Sequence, residues 1–408
     1  MGDMRRVVSR VPRPIRRQQL SIHSLALGLL LSFIPAMVGA EQPNPLPPSE
    51  ASSSSSSIEA PHILVLPPEI ATEVEEIEQQ VDAVLNRGED RSPEDLQSLI
   101  QAAERAVLLR TQHQGKTWWE TITVQNNLQD IRTWLTMSAE SRAAWREASS
   151  LHEQVDELRR KGKDAEALPL AQQALAILEK LLGPAHPDTA YSLNKLGMLY
   201  YSQGQYARAE PLYERALTIR ENVLGLNHPN TATSLSNLAL LYMDQGQYAQ
   251  AQPLYVRALA ILEKVLGPDH PSTATSLNNL ASLYKAQGQY AQAQPLAERA
   301  LAITQKVLGP EHSDTATGLS SLAGLYQEQG AYQEALPLLQ QALQIRETVL
   351  GSEHPDTATS LNKLAELYRQ QGQPAQAQPL QKRALAIREK VLGPDHPHTA
   401  MSLNNLAL

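Results

Sequence analysis

The string Leu-Gly-x-x-His-Pro returns with its histidine at His186, His228, His270, His312, His354 and His396, always 42 residues apart, with Ser313 in place of one proline. A glycine that follows glutamine recurs at Gly204, Gly246, Gly288, Gly330 and Gly372. A proline recurs at Pro169, Pro211, Pro253, Pro295, Pro337 and Pro379. Three markers in one register define a tandem array. In such an array each unit is one supersecondary element that buries its apolar face only against its neighbours.

Each unit reads as two helices. Leu277, Leu280, Ala281 and Tyr284 fall at i, i+3, i+4 and i+7, one face of an α-helix. Gly288 ends that helix where a left-handed residue is wanted. Ala293, Leu296, Ala300, Leu301 and Ile303 mark a second amphipathic helix, which Gly309-Pro310 stops before His312 opens the next unit. Pro295 is expected near the start of this helix, where first-turn N–H groups have no intrahelical partner. The recurring alanines let the two helices approach near the short end of the usual ~8–10 Å. No strand pattern interrupts the array, so the expected fold is all-α, an α-α superhelix.

Leu-x-x-Leu-Ala-x-x-Tyr, followed by Gly, Tyr, Ala and Ala-Leu at these spacings, resembles the tetratricopeptide repeat. The 42-residue form, with TATSLNNLASLYKAQGQYAQAQPLAERALAITQKVLGPEH as a sample unit, is similar to the repeats of kinesin light chain, a variant shared by bacterial repeat proteins. The resemblance covers residues 148–408. It implies a solenoid whose first helices line a concave groove, where asparagines help hold linear peptide motifs. Carried onto this chain, it implies an inner row of Asn194, Ser236, Asn278, Ser320, Asn362 and Asn404. A neighbouring row holds Tyr191, Thr233, Thr275, Thr317 and Thr359, and Tyr201, Met243, Lys285, Gln327 and Arg369 continue the same faces. Asparagine both donates to and accepts from a peptide backbone. Lys285 and Arg369 would add a preference for acidic segments, although the alternation of Asn with Ser and the intrusion of Glu366 leave no full cationic clamp.

The edges of the array are less regular. Residues 148–182 fit the template with Gly162, Ala167, Pro169 and Ala174 in register but with a degraded first helix, and read as a capping repeat. Residues 183–408 hold five full units and a truncated sixth. Because Leu403, Leu406 and Leu408 would lack a covering helix, either the array dimerises through that end or, the favoured reading, the chain is a fragment or a prematurely ended reading frame. Residues 62–147 form an irregular helical region, in which Ile70, Val74, Ile77, Val81 and Val84 make a heptad seam too short for a coiled coil. That seam is expected on an amphipathic helix that docks on the array, with Trp118, Trp119 and Trp134 as core residues of two further helices.

Six arginines precede an apolar run of 16 residues, Leu25 to Ala40, which ends in Val38-Gly39-Ala40. This is the pattern of a secretory signal peptide over residues 1–40. The run contains Pro35 and is shorter than the about 20 residues of a spanning helix. An uncleaved anchor over residues 20–40 is the alternative. Residues 41–61, rich in Pro and with Ser52 to Ser57 in one block, read as a disordered tether. The expected location is therefore outside the cytoplasm, periplasmic or extracellular.

Beyond residue 40 there are 29 basic and 42 acidic groups, which argues against a nucleic-acid partner. With no cysteine there is no disulfide, thiolate metal site or cysteine nucleophile. Gly115-Lys116-Thr117 matches the end of a phosphate loop, but Arg110 occupies the place of its first glycine and no strand precedes it. The loop histidines stand at least ~10 Å apart in a stacked array, too far to share a metal, and instead order their turns. No catalytic, cofactor or metal site is expected. The pattern favours a non-enzymatic scaffold that binds extended segments of a partner protein. A sensor portion of a larger signalling protein and a cargo adaptor like kinesin light chain are the alternatives. The export signal opposes the adaptor reading.

Overall fold

The computed structural model describes residues 66–85, 92–394 and 397–407, which form α-helices and no strands. The signal and tether segments, His396 and Leu408 lie outside the described residues. Among the described residues no helix is long and apolar enough to cross a membrane.

Four helices come first: α1 (Pro68–Leu85), α2 (Pro93–Gln114), α3 (Trp119–Thr136) and α4 (Ala139–Arg160). The seam of α1 is buried within the chain by α2 and α3, with Val74, Ile77, Val81 and Val84 all buried. Trp134 is 1% exposed and meets Trp145 of α4 edge-on, ring centres 5.6 Å apart. Arg110 is also buried. It joins the helices by donating to Glu78 at 2.9 Å and Glu120 at 2.8 Å, which explains an arginine where the phosphate-loop pattern wants glycine. Gly115 simply caps α2, with φ 86°.

α4 pairs with α5 (Asp164–Leu182) and starts ahead of the boundary at 148. Its cap explains why: the hydroxyl of Ser138 accepts from the backbone N–H of Ser141 at 3.2 Å. Five pairs follow: α6 (Pro187–Ser202) with α7 (Tyr206–Val223), α8 (Pro229–Asp244) with α9 (Tyr248–Val265), α10 (Pro271–Ala286) with α11 (Tyr290–Val307), α12 (Ser313–Glu328) with α13 (Tyr332–Leu350), and α14 (Pro355–Gln370) with α15 (Pro374–Leu392). The helix α16 (Pro397–Ala407) packs on α15.

The repeat markers each have a local task. After α10, Gly288 takes φ 72°, its N–H reaches Lys285 O at 2.9 Å, and the N–H of Gln289 reaches Tyr284 O at 2.8 Å. This double closure satisfies the last carbonyls of the helix. At the other turn, the Nδ1 of His270 accepts from the N–H of Ser272 at 3.0 Å, and the hydroxyl of Thr273 donates to Gly267 O at 2.8 Å. The same cap recurs at His186, His228, His312 and His354. The proline does not sit where the sequence suggested. α11 begins at Tyr290, so Pro295 lies beyond the first turn and removes a real bond to Ala291 O.

Ala251, Ala258, Ala293, Ala300, Ala335 and Ala342 are 0% exposed where helices pack within and between pairs. The second helices are laced by Arg215–Glu179, Arg257–Glu221, Arg299–Glu263 and Arg383–Glu347, each at 2.6 Å. Where the ladder skips a rung, both positions are glutamine, Gln305 and Gln341. Such exposed pairs add only ~0–1 kcal/mol each, so they mark the stacking register more than they hold it.

One feature has no repeat logic. α3 lies along the His-Pro turns of the array and runs against its direction. The Oδ1 of Asp130 meets the Nε2 of His186 at 2.9 Å, and the Oγ1 of Thr123 meets the Nε2 of His228 at 3.0 Å. The Nε1 of Trp119 donates to Val265 O at 3.3 Å. Burial and the nearby Arg220 push the His228 pKa down to about 3, so its ring stays neutral. At His186 burial also disfavours charge, but the hydrogen bond to the Asp130 carboxylate and the charges of Asp188 and Asp130 outweigh it and raise the pKa.

Candidate functional site

The first helices of successive pairs touch one another (α6 with α8, α8 with α10, α10 with α12, α12 with α14), and the second helices do so less. The stack therefore bends toward its first helices, whose free side is the candidate site.

The inner row of residues is only partly open. Asn194 is buried and its Nδ2 donates to the hydroxyl of Ser234 in the next pair at 3.1 Å. Asn362 does the same to Ser402 at 3.1 Å. Two of the expected ligand-holding asparagines are thus used to stitch repeats. Asn278 differs because the equivalent of those serines is Gly318. Its amide therefore makes no bond to the next pair, while its Oδ1, like the Oδ1 of Asn362 and the hydroxyl of Ser320, is buried without a partner. Ser236 is half-buried, and Asn404 is exposed. Of the outer row, Met243 is buried, Tyr201 donates to Asp244, and Gln327 bonds Gln370 at 3.4 Å. Arg369 is taken up by Glu366 on its own helix, two bonds of 3.0 Å, so it is already neutralised. Lys285 has no carboxylate partner among the described residues.

The sequence reading missed a buried arginine series. Position 304 of the repeat register holds Leu178, Arg220, Leu262, Thr304, Arg346 and Arg388. Arg346 donates to Ser360 at 2.8 Å and Asp356 O at 3.4 Å in the following helix, and to Thr317 at 3.1 Å in the preceding one. Arg220 and Arg388 make the same bond to Ser234 at 3.0 Å and Ser402 at 2.9 Å. Where the register holds Leu262, the partner hydroxyl of Ser276 is left unsatisfied. Burial lowers the pKa of Arg220 and Arg388 to about 10, still far above neutrality. A buried cation that bonds to no carboxylate adds little net stability. Arg346→Leu should therefore keep the unfolding free energy, read from urea titration, within ~1 kcal/mol of the wild type, whereas Arg346→Ala leaves a void costing ~2–3 kcal/mol more. Equal losses in the two variants would show that the guanidinium bonds, not the filled volume, matter.

A second missed group gives the face its chemistry. Lys195 and Lys363 occupy the same register position, four repeats apart. Lys195 is 4% exposed and pairs with Asp156, with its ammonium 4.9 Å from the ring centre of Tyr191. The register equivalent of Asp156 beside Lys363 is Gly324. A Cβ on Gly324 would stand 3.7 Å from the ammonium of Lys285. Lys363 therefore faces Arg346 and Lys285 with no carboxylate among the described residues. Burial, then the charges of Arg346 and Lys285, bring its pKa down to about 7. The Nε of Arg346 is also buried without a partner. The arrangement can receive an anionic group and a peptide amide together.

The tetratricopeptide repeat profile matches residues 146–222, 193–243, 230–306, 276–348, 314–390 and 356–408. A search of curated proteins returns no match. Among solved structures, the chain is similar to the nearly identical TPR-like repeats of a protein described as a kinesin light chain from Podosopora anserina. Identity there is 36%, over 50% of this chain and 97% of that one, with a TM-score of 0.42. It is also similar to BtubC from P. vanneervenii, with 24% identity over 62% of this chain and 93% of that one, and a TM-score of 0.43. A Rap protein complexed with competence and sporulation factor matches at 13% identity, over 83% of this chain and 96% of that one, with a TM-score of 0.49. The profile covers well over half of the sequence without a gap, and the 42-residue period, the paired helices and the buried alanines agree with it: the chain belongs to the tetratricopeptide repeat family.

Proposed function

We propose that this protein is a non-enzymatic scaffold whose first-helix face holds an extended, acidic segment of a partner polypeptide. The observation that carries this reading is the contrast between Lys195, neutralised by Asp156, and Lys363, which feels Arg346 and Lys285 and has Gly324 at the register position of that acid. A carboxylate of the segment would take the place that Asp156 fills four repeats earlier. Asn278, whose side chain makes no bond to the next pair, is the asparagine left to turn toward the backbone of the segment. Asn194 and Asn362 hold the repeats together and act on the ligand only indirectly. Residues 1–40 carry the chain out of the cytoplasm, so the partner is an envelope or extracellular protein. Fusing residues 1–60 to a reporter tests that part.

The groove itself is tested with a display library of extended peptides screened against the full chain. Acidic peptides should be enriched, and the affinity of a selected peptide should fall about tenfold in Lys363→Met and weaken with salt. Asn278→Ala should weaken it too, with an unchanged melting curve, because that side chain bonds to no neighbouring repeat. Enrichment of neutral or basic peptides, or binding indifferent to both variants, would remove the assignment.

A further inference from the structure

The turn side of the array carries a second feature, separate from the first-helix face. In the seat that α3 occupies, the Nδ1 of His228 accepts from the N–H of Asn230 at 3.1 Å, so the neutral ring carries its proton on Nε2 and donates it to Thr123. The hydroxyl of Thr123 in turn donates a hydrogen bond to Trp119 O at 2.9 Å. The indole of Trp119 stands edge-on to His228, ring centres 5.9 Å apart, and covers Val265, which is 3% exposed. Seven residues along α3, Asp130 meets His186 in the same way. Seven residues are two helical turns, ~10.5 Å, close to the ~10 Å step between packed helices. A helix laid along these turns thus meets one histidine per repeat.

The seat continues past the end of α3. His270, His312 and His354 accept at Nδ1 from Ser272, Asp314 and Asp356 at 3.0, 3.1 and 3.1 Å, which leaves each Nε2–H pointing away from its cap. The valines equivalent to Val265 are Val307, Val349 and Val391, exposed by 44%, 50% and 40%. The chain's own helix cannot extend over them, because it turns back at Gly115 into α2. Nor can α3 of a second copy serve, since its Ile131 and Trp134 are buried in its own N-terminal helices.

We propose that the edge formed by these later turns docks an amphipathic helix of a partner protein, which continues the line of α3. The fitting helix carries a tryptophan or similar aromatic ring over a valine, and a hydroxyl or carboxylate four residues later to accept from the histidine. A further acceptor seven residues on meets the next repeat.

The probe is a labelled synthetic peptide of residues 117–136, the α3 sequence itself, titrated into the full chain and read by fluorescence anisotropy. Saturable binding is expected, weakened about tenfold by Val349→Asp in the protein and by Trp119→Ala in the peptide. Because Val349 is half exposed, its substitution leaves the fold intact, and circular dichroism of the variant verifies this. Lys363→Met should leave the binding as it is. No saturable binding, binding indifferent to Val349→Asp, or binding lost in Lys363→Met would each overturn the proposal. The second of these outcomes would show that the peptide only displaces the chain's own α3, and the third that it binds the groove.

Discussion

Gly324→Asp should make the protein more stable and close its groove in one step. The variant installs beside Lys363 the acid that Asp156 supplies to Lys195, in a place where a Cβ meets nothing nearer than the Lys285 ammonium at 3.7 Å. A charge-assisted bond in a half-buried place is worth about 1–2 kcal/mol net, and replacing a mid-helix glycine adds a few tenths. The urea midpoint should rise accordingly, while an acidic peptide that binds the wild type should lose more than about tenfold in affinity.

The pH dependence supplies an independent sign. In the folded wild type the Lys363 pKa lies near 7, below its unfolded value of about 10.4. Between these limits the unfolded chain binds more protons, so this lysine makes stability rise with pH. Below pH 7 its full cost is present, and above the unfolded value it is gone. In Gly324→Asp that rise should flatten, as read from urea titrations of both proteins at pH 6.5 to 9.5. A less stable variant with an unchanged slope would mean that Lys363 already has its counter-charge.

Trp134→Ala should be among the most damaging single changes, and its damage should be local. The indole is 1% exposed, stands edge-on to Trp145 and lies under the guanidinium of Arg146 at 5.8 Å. Removing it costs ~3–5 kcal/mol. In a stacked array each unit is supported mainly by its neighbours, so the loss should release α1–α3 and leave α8–α14 in place. Hydrogen exchange measured by mass spectrometry should show protection collapsing over residues 68–136 and persisting over residues 229–370. Collapse across the whole chain would show that α1–α3 and the array fold as one cooperative unit.

How much of this was readable beforehand depends on sequence distance. Gly288, His270 and Ala293 act within a few residues of themselves or on a partner at a constant offset, so the period exposes them. Pro295 falls past the first turn because α11 begins at Tyr290, directly after Gln289, whereas the apolar pattern begins only at Ala293. The row from Asn194 to Asn404 lies on the first helices. Its division into stitching and unpartnered residues depends on whether the next pair offers Ser234, Ser402 or Gly318 forty residues on. The arginine series left a trace, a cation at a position that elsewhere holds Leu262. Recognising it required knowing that this position faces the start of the next helix.

The amino-acid order alone determined the two-helix unit, its caps and its stacking, because those rest on periodicity and on bonds between near neighbours, and the same chemistry is written again every 42 residues. The docking of α3 and the unneutralised group at Lys363 were decided by the tertiary structure. Thr123 meets His228 across 105 residues, and α3 belongs to no repeat that could betray the pairing. The state of Lys363 follows from Gly324, Arg346 and Lys285, which lie on three other helices. A charge is set by what surrounds it in space, and only packing brings those helices to one place.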